Sequence, residues 1–297
     1  MSFQKHSARD FLILALGAAL IGIAPIFVRF SELTPSWSLF YRMFLALPFL
    51  LLLNIFLNRK NPLKLKYSRS YWIAALAGLA FAGDMIGWHW SISMTTVSNA
   101  TIMVNTAPIY VALFGFIVLK EIVSLKLISA LIFTYSGVIG LIYYSPLDGL
   151  QSIIGDLISL VAGMLYAIYL IIIARLGHES PTKIIFYTTL FCCLFSLPSA
   201  FIESSNFLPS SQWQFINLLM MAVLCQVGGQ YFITYAMPRI KASFAAFGLL
   251  MQPITATILG SVLLFEFLTM EQYFFVVLAL AGILFARLEL SRTDIAE

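Results

Sequence analysis

Residues 98–121 read SNATIMVNTAPIYVALFGFIVLKE, and residues 243–266 read SFAAFGLLMQPITATILGSVLLFE. Placed over one another at a constant offset of 145 residues, they pair Ser98 with Ser243, Ala100 with Ala245, Pro108 with Pro253, Leu119 with Leu264 and Glu121 with Glu266. The register runs on without a gap to Gly137 and Gly282. Each copy thus holds a proline, a glutamate 13 residues later and a glycine 16 residues after that. Three such residues in one register mark an internal duplication. Charge at matched positions is opposed: Arg239 and Lys241 align with Met94 and Thr96, whereas Lys120 and Lys126 align with Phe265 and Glu271. Because Lys and Arg collect on the cytoplasmic side of a membrane, this is the pattern of a second copy inserted upside down.

Both copies sit in a chain of 297 residues, 61% hydrophobic and 10% charged, with a mean hydropathy of +0.95. A soluble domain carries about 25% charged residues. The apolar runs are about 20 residues long, enough to cross a ~30 Å hydrocarbon core as helix. Strands of a membrane barrel would be about 10 residues long with strict alternation, which these runs lack. Ten spans are predicted, at 11–31, 36–57, 71–93, 98–119, 126–145, 153–174, 183–203, 213–236, 243–264 and 272–289. The first follows Lys5 and Arg9 as a secretory signal would, but its apolar run continues through Pro25 to Phe30 and the duplication needs it, so it is read as a retained helix.

With the N-terminus in the cytoplasm, 15 of the 17 Lys and Arg fall in or beside cytoplasmic segments, five of them in the 58–70 connection. The other two, Arg29 and Arg42, lie within the first two spans, and the outer loops carry Glu32, Asp148, Glu203, Glu266 and Glu271. One missed or invented helix would scramble this pattern, so it also tests the count of ten. The expected fold is an all-α polytopic membrane protein of ten transmembrane helices in two inverted five-helix repeats. These comprise residues 1–145 and 146–297, with both termini cytoplasmic. Inverted repeats of this kind are a transporter signature, with a solute site near the midplane where the halves meet. Cys192, Cys193 and Cys225 lie in apolar runs and His6, His89 and His178 are scattered, so neither a disulfide framework nor a metal site is expected.

Arg42 in Tyr41-Arg42-Met43-Phe44, the Ala107-Pro108-Ile109 segment, the stretch from Pro108 to Glu121 and its second copy from Pro253 to Glu266 resemble the EamA-type drug/metabolite transporter superfamily. The resemblance covers nearly the whole chain. It implies ten helices in two inverted halves and secondary transport or exchange of amino acids, nucleobases, sugars, amines, drugs and other metabolites. It does not fix the solute. The stretch Gly83-Asp84-Met85-Ile86-Gly87-Trp88-His89-Trp90 is less apolar than the third helix typical of the family and is where specialisation is expected.

Polar residues inside the spans are the candidate site. Asp84 lies near the middle of the third span, where an acid is costly and faces a cavity or a partner. It is the coupling or cation-binding candidate, or else the partner of Arg42. Arg42 either binds an anionic group of the solute, neutralises Asp84 or caps a helix; its presence in many members of the family favours an architectural role. Asp84, Trp88 and Ser91 share a helix face, and an acid beside an indole suits an amine through charge and cation–π attraction. Alternatively Trp88 and Trp90 belong to the aromatic belt. Asn105, Gln226, Gln230 and Gln252 either line a polar cavity or join helices, and Tyr166 either offers a cavity hydroxyl or packs between helices. Pro108 and Pro253 are hinges or packing kinks, Glu121 and Glu266 tie helix ends, and Gly137 and Gly282 complete the repeat signature.

The leading expectation is a secondary transporter or exchanger of small metabolites working by alternating access, best fitted to amino acids or related amines and to export. Nucleobases and other heterocycles or drugs are the alternative; a channel or membrane-embedded enzyme is the alternative of another class. No nucleophile–base pair or paired-acid motif points to catalysis, and no GxxxxGK[ST] loop points to ATP drive. No cofactor, metal or nucleic acid is expected. The expected partners are a small solute, a proton or counter-solute, and the lipid of a bacterial inner (plasma) membrane.

Overall fold

The structure, a computed structural model, describes residues 8–59, 61–107, 110, 125–144, 150–176, 178–204, 206–236, 248–249 and 251–296. Pro108 and Glu121 lie outside the described residues. Among those described the regular elements are all helical: α1 Ala8–Gly22, α2 Ala24–Arg29, α3 Pro35–Leu57, α4 Ser68–Met94, α5 Val97–Val104, α6 Leu125–Tyr143, α7 Leu150–Ala174, α8 Pro181–Glu203, α9 Gln212–Met220, a π segment Met221–Gly229, α10 Gln230–Ala236, α11 Met251–Leu263 and α12 Met270–Ala296.

Local sequence accounts for the boundaries. Proline opens α3 and α8, where its missing N–H costs nothing and its fixed φ suits the first turn. The hydroxyls of Thr96 and Ser211 cap α5 and α9 by accepting from Asn99 N and Gln214 N. Pro25 divides the first span, so that α1 ends at Gly22 and α2 begins at Ala24. Among the described residues six helical stretches are long and apolar enough to cross a membrane: Arg9–Arg29, Pro35–Leu57, Ser68–Met94, Leu150–Ile173, Pro181–Glu203 and Gln212–Ala236. Shorter apolar stretches occupy Ile132–Leu141, Met251–Leu263 and Met270–Gly282. Large side chains such as Leu52, Phe56, Leu76 and Ile202 point outward, as they do against lipid.

The helices pack in matched sets. α4 lies along α7 as α1 lies along α10 and the π segment. α5 meets α7 as α11 meets α1, while α3 packs on α8 and α6 on α12. Close approaches repeat this pattern at the 145-residue offset. A methyl group added at Gly17 would meet Phe232 Cβ at 2.8 Å, and one added at Gly87 would meet Ala162 Cβ at 3.4 Å. Likewise Gly83 faces Leu165 and Gly228 faces Leu20. In each pair of contacts, one is the other moved by that offset. Gly137 seats the Ala279 backbone of α12, where an added Cβ would come within 2.6 Å of Ala279 N, and Gly282 is buried on the same helix.

Candidate functional site

A cavity of about 60 Å³ lies where α1, α3, α4, α5, α7, α10 and α11 converge. Its polar lining comprises Arg42 from α3, Asp84 and Trp88 from α4, Thr101 from α5, Asn105 just beyond α5, Tyr166 from α7, Gln230 from α10 and Gln252 from α11. Ile21, Gly22, Phe81, Met85 and Val104 complete the wall. The space admits water and is far smaller than a drug-sized pocket of about 300–1,000 Å³. A solute larger than a few atoms therefore needs the surrounding helices to part.

Two ionisable side chains, one acidic and one basic, face this cavity. Asp84 is fully buried and neither carboxylate oxygen has a hydrogen-bond partner in the protein. Arg42 is 3% exposed, and its Nε and Nη1 also lack partners. The guanidinium carbon sits 5.9 Å from the Trp88 ring centre, and Trp88 Nε1 is unpartnered as well. Burying polar groups without partners is costly, and charged groups most of all. The acid and the guanidinium are thus held in one cavity without a hydrogen bond to each other. Asn105 spends its amide N–H on Thr101 O at 2.8 Å. Tyr166 stacks on Tyr169, with ring centres 5.8 Å apart.

Gln226 does not join the cavity. It is buried, and its Nε2 donates to Thr189 Oγ1 at 3.0 Å. Regular α spacing would put Gln226 and Gln230 on one face, but the intervening π segment pairs i with i+5 and shifts the later residue around the axis. Gln226 therefore turns to α8 while Gln230 faces the cavity. Trp90 stands at the bundle surface, 38% exposed, and donates to Glu203 Oε1 at 2.6 Å.

Both ends of the bundle carry polar ties. At the end reached by α2, Arg29 pairs with Glu266 at 2.9 Å and donates to Thr95 O at 2.8 Å. Glu266 also accepts from Val97 N at 2.8 Å. The loop presenting Glu266 places Phe265 at φ 56°, a left-handed conformation that a bulky residue adopts only when its surroundings impose it. Glu203 accepts from Ser36 N at 2.9 Å and from the Ser36 hydroxyl; Gln214 donates to Phe30 O at 3.0 Å. At the opposite end Asn54 donates to Thr182 O at 3.0 Å, Lys66 N to Glu179 at 2.7 Å and Tyr187 to Leu63 O at 2.7 Å.

One buried acid escaped the sequence reading. Asp156 on α7 is fully buried and accepts from Thr95 Oγ1 at 2.6 Å and from Asn99 Nδ2 at 3.4 Å. Its only signal was an acid inside an apolar run close to the start of the sixth predicted span. Among the described residues no group of three or more His, Cys, Asp or Glu side chains is placed to hold a metal.

The geometry can be set beside known proteins. One solved crystal structure aligns over 96% of this chain and 98% of its own, with a TM-score of 0.64 at 16% identity, a likeness of fold. An uncharacterized transporter of Archaeoglobus fulgidus is 28% identical over 264 residues, 85% of this chain and 88% of that protein. The uncharacterized transporter YetK of Bacillus subtilis is 25% identical over 185 residues, 60% of this chain and 56% of its own. Solute carrier family 35 member G1 of Mus musculus is 26% identical over 185 residues, 58% of this chain and 49% of its own. The profile of the EamA-like transporter family matches residues 10–143 and again residues 153–288. With both matches together spanning most of its length, this integral membrane protein belongs to the EamA-like transporter family.

Proposed function

We propose that the chain is a secondary transporter or exchanger that moves amino acids or related amines by alternating access, in the direction of export. It crosses a bacterial inner membrane ten times, with both termini cytoplasmic, as two inverted five-helix halves, residues 1–145 and 146–297. The matched packing of α4 on α7 and of α1 on α10, and the offset-related glycine contacts, support the two-half reading. A site between inverted halves near the midplane is where such transporters hold solute. The resemblance to the superfamily supports export.

The observation that carries the proposal is a buried carboxyl with no hydrogen-bond partner and a buried guanidinium with two unpartnered nitrogens on one cavity. Arg42 takes the carboxylate of the solute and Asp84 its ammonium, with Trp88 covering the cation by cation–π attraction and the amides of Gln230 and Gln252 fixing orientation. A zwitterion supplies both missing partners at once. Drive comes from a proton or from a counter-solute. The second reading, a nucleobase or other planar heterocycle, draws on the Trp88 face and the same amides and leaves both charges to water.

A thermal-shift screen of the purified protein distinguishes the two. Free amino acids and amines are set against nucleobases and their nucleosides. The proposal expects zwitterions to raise the melting temperature and Asp84→Asn to abolish that rise. Stabilisation by nucleobases alone, unaltered in Asp84→Asn, establishes the second reading.

A further inference from the structure

We propose that Asp156 is a proton-binding site, separate from the solute cavity, whose protonation releases the closure at the Arg29–Glu266 end of the bundle. The proposal deepens the alternating-access reading and rests on it for its role in transport.

The acid is fully buried on α7 and its two hydrogen-bond partners are a hydroxyl and an amide. Asn99 is itself fully buried, and its Oδ1 has no partner. Its Nδ2 makes two long contacts, 3.4 Å to Asp156 and 3.5 Å to Leu141 O. A half-turn of the amide presents Oδ1 to the acid, and that arrangement is favourable only if Asp156 carries a proton to donate. The Thr95 hydroxyl can likewise donate to the ionised acid or accept from the protonated one. The site is therefore equipped for both states, with only a proton gained or lost.

Among the described residues few titratable groups lie near the acid. α7 packs along α4 and α5. On α4 the titratable groups are Asp84 and His89 at and beside the cavity, with Arg69 and Tyr71 at the far end. α5 carries none, Tyr166 and Tyr169 lie further along α7, and Tyr143 of α6 is 80% exposed. Arg29 and Glu266 reach the region through the backbone of Thr95 and Val97.

That backbone links the site to the closure. Residues 95–99 turn the chain from α4 into α5. On one side their carbonyl and N–H are held by Arg29 and Glu266; on the other their side chains are held by Asp156. Neutralising the acid turns charge-assisted bonds into ordinary ones, about half as strong, and loosens the turn that the ion pair grips.

Spin labels at Ser93→Cys and Met270→Cys test this in the full-length protein reconstituted in lipid. Both positions are exposed, and the three native cysteines are buried. Pulsed dipolar spectroscopy is run over a pH series. The longer-separation population is expected to grow about fivefold as pH falls, the response to ~1 kcal/mol. Asp156→Asn should hold the longer separation at every pH, and Asp156→Glu should keep the pH response. A pH-independent wild type, or Asp156→Asn with the wild-type response, overturns the proposal. Should Asp156→Asn fail to fold, Thr95→Val must displace the midpoint of the profile; an unmoved midpoint overturns it equally. No solute enters the measurement, so its failure and a failed solute screen are separate results.

Discussion

The central cavity and the end closed by Arg29 and Glu266 use the same kinds of side chain to opposite ends. At the closure, Glu266 is shared between Arg29 and Val97 N, and Glu203 between Ser36 and Trp90. In the cavity, both Asp84 oxygens, two Arg42 nitrogens and Trp88 Nε1 have no protein partner. A made hydrogen bond stabilises by about 1 kcal/mol, whereas a buried polar group left unmade costs about 1–3 kcal/mol and a charged one more. The closure thus adds to stability and the cavity subtracts from it. On the proposed reading, the cavity is where a ligand that brings its own polar groups would recover the stability given up there.

The sharpest way to break this contrast is to remove a cavity charge. Arg42→Ala should weaken binding of a zwitterionic solute by roughly thirtyfold or more, since truncating one partner of a buried charge pair costs about 2–5 kcal/mol. Calorimetric titration measures it, and unchanged affinity would make Arg42 an architectural residue. Next come the amides. Gln230→Ala and Gln252→Ala should each cost about fivefold in affinity, one hydrogen bond's worth. Gln226→Ala, turned to Thr189, should leave affinity within about twofold and lower the melting temperature instead. Equal effects at all three positions would dissolve the distinction drawn between them.

The closure should respond differently. Arg29→Ala removes a partly exposed ion pair worth about 1 kcal/mol at most, so the separation between labels at Ser93 and Met270 should lengthen in up to about fivefold more molecules, with solute affinity little changed. Smallest of all, Trp90→Phe loses one hydrogen bond at the surface. It should lower the melting temperature by about 2–4 °C and leave transport intact, as thermal unfolding and flux assays can show.

Much of this contrast was legible in the chain. Polar residues in apolar spans are few because each is costly in lipid, so Arg42, Asp84, Trp88, Asn105, Tyr166, Gln230 and Gln252 stood out, and the structure gathers all seven at one cavity. Of the two readings open for Gln226, cavity lining or a tie between helices, the structure shows the tie, because the π segment Met221–Gly229 breaks the α repeat that would set it beside Gln230. Asp156 went unread because its meaning lies in Thr95 and Asn99, which come from a distant part of the chain. Glu266 was legible as a helix-end tie, but its partner Arg29 was not, being separated from it by 237 residues. Periodicity finds spans and cost finds buried polar groups; partners across helices need three dimensions.

On the proposed reading Arg42 and Asp84 receive a zwitterion and the two halves carry it across. Counterflow in proteoliposomes tests this most directly. Vesicles loaded with an unlabelled amino acid that stabilises the protein are diluted into a trace of the same labelled compound. The expected result is transient, saturable accumulation of label that depends on the internal load and is lost in Asp84→Asn. Uptake that never saturates and ignores the internal load, or equal accumulation in Asp84→Asn, would contradict it.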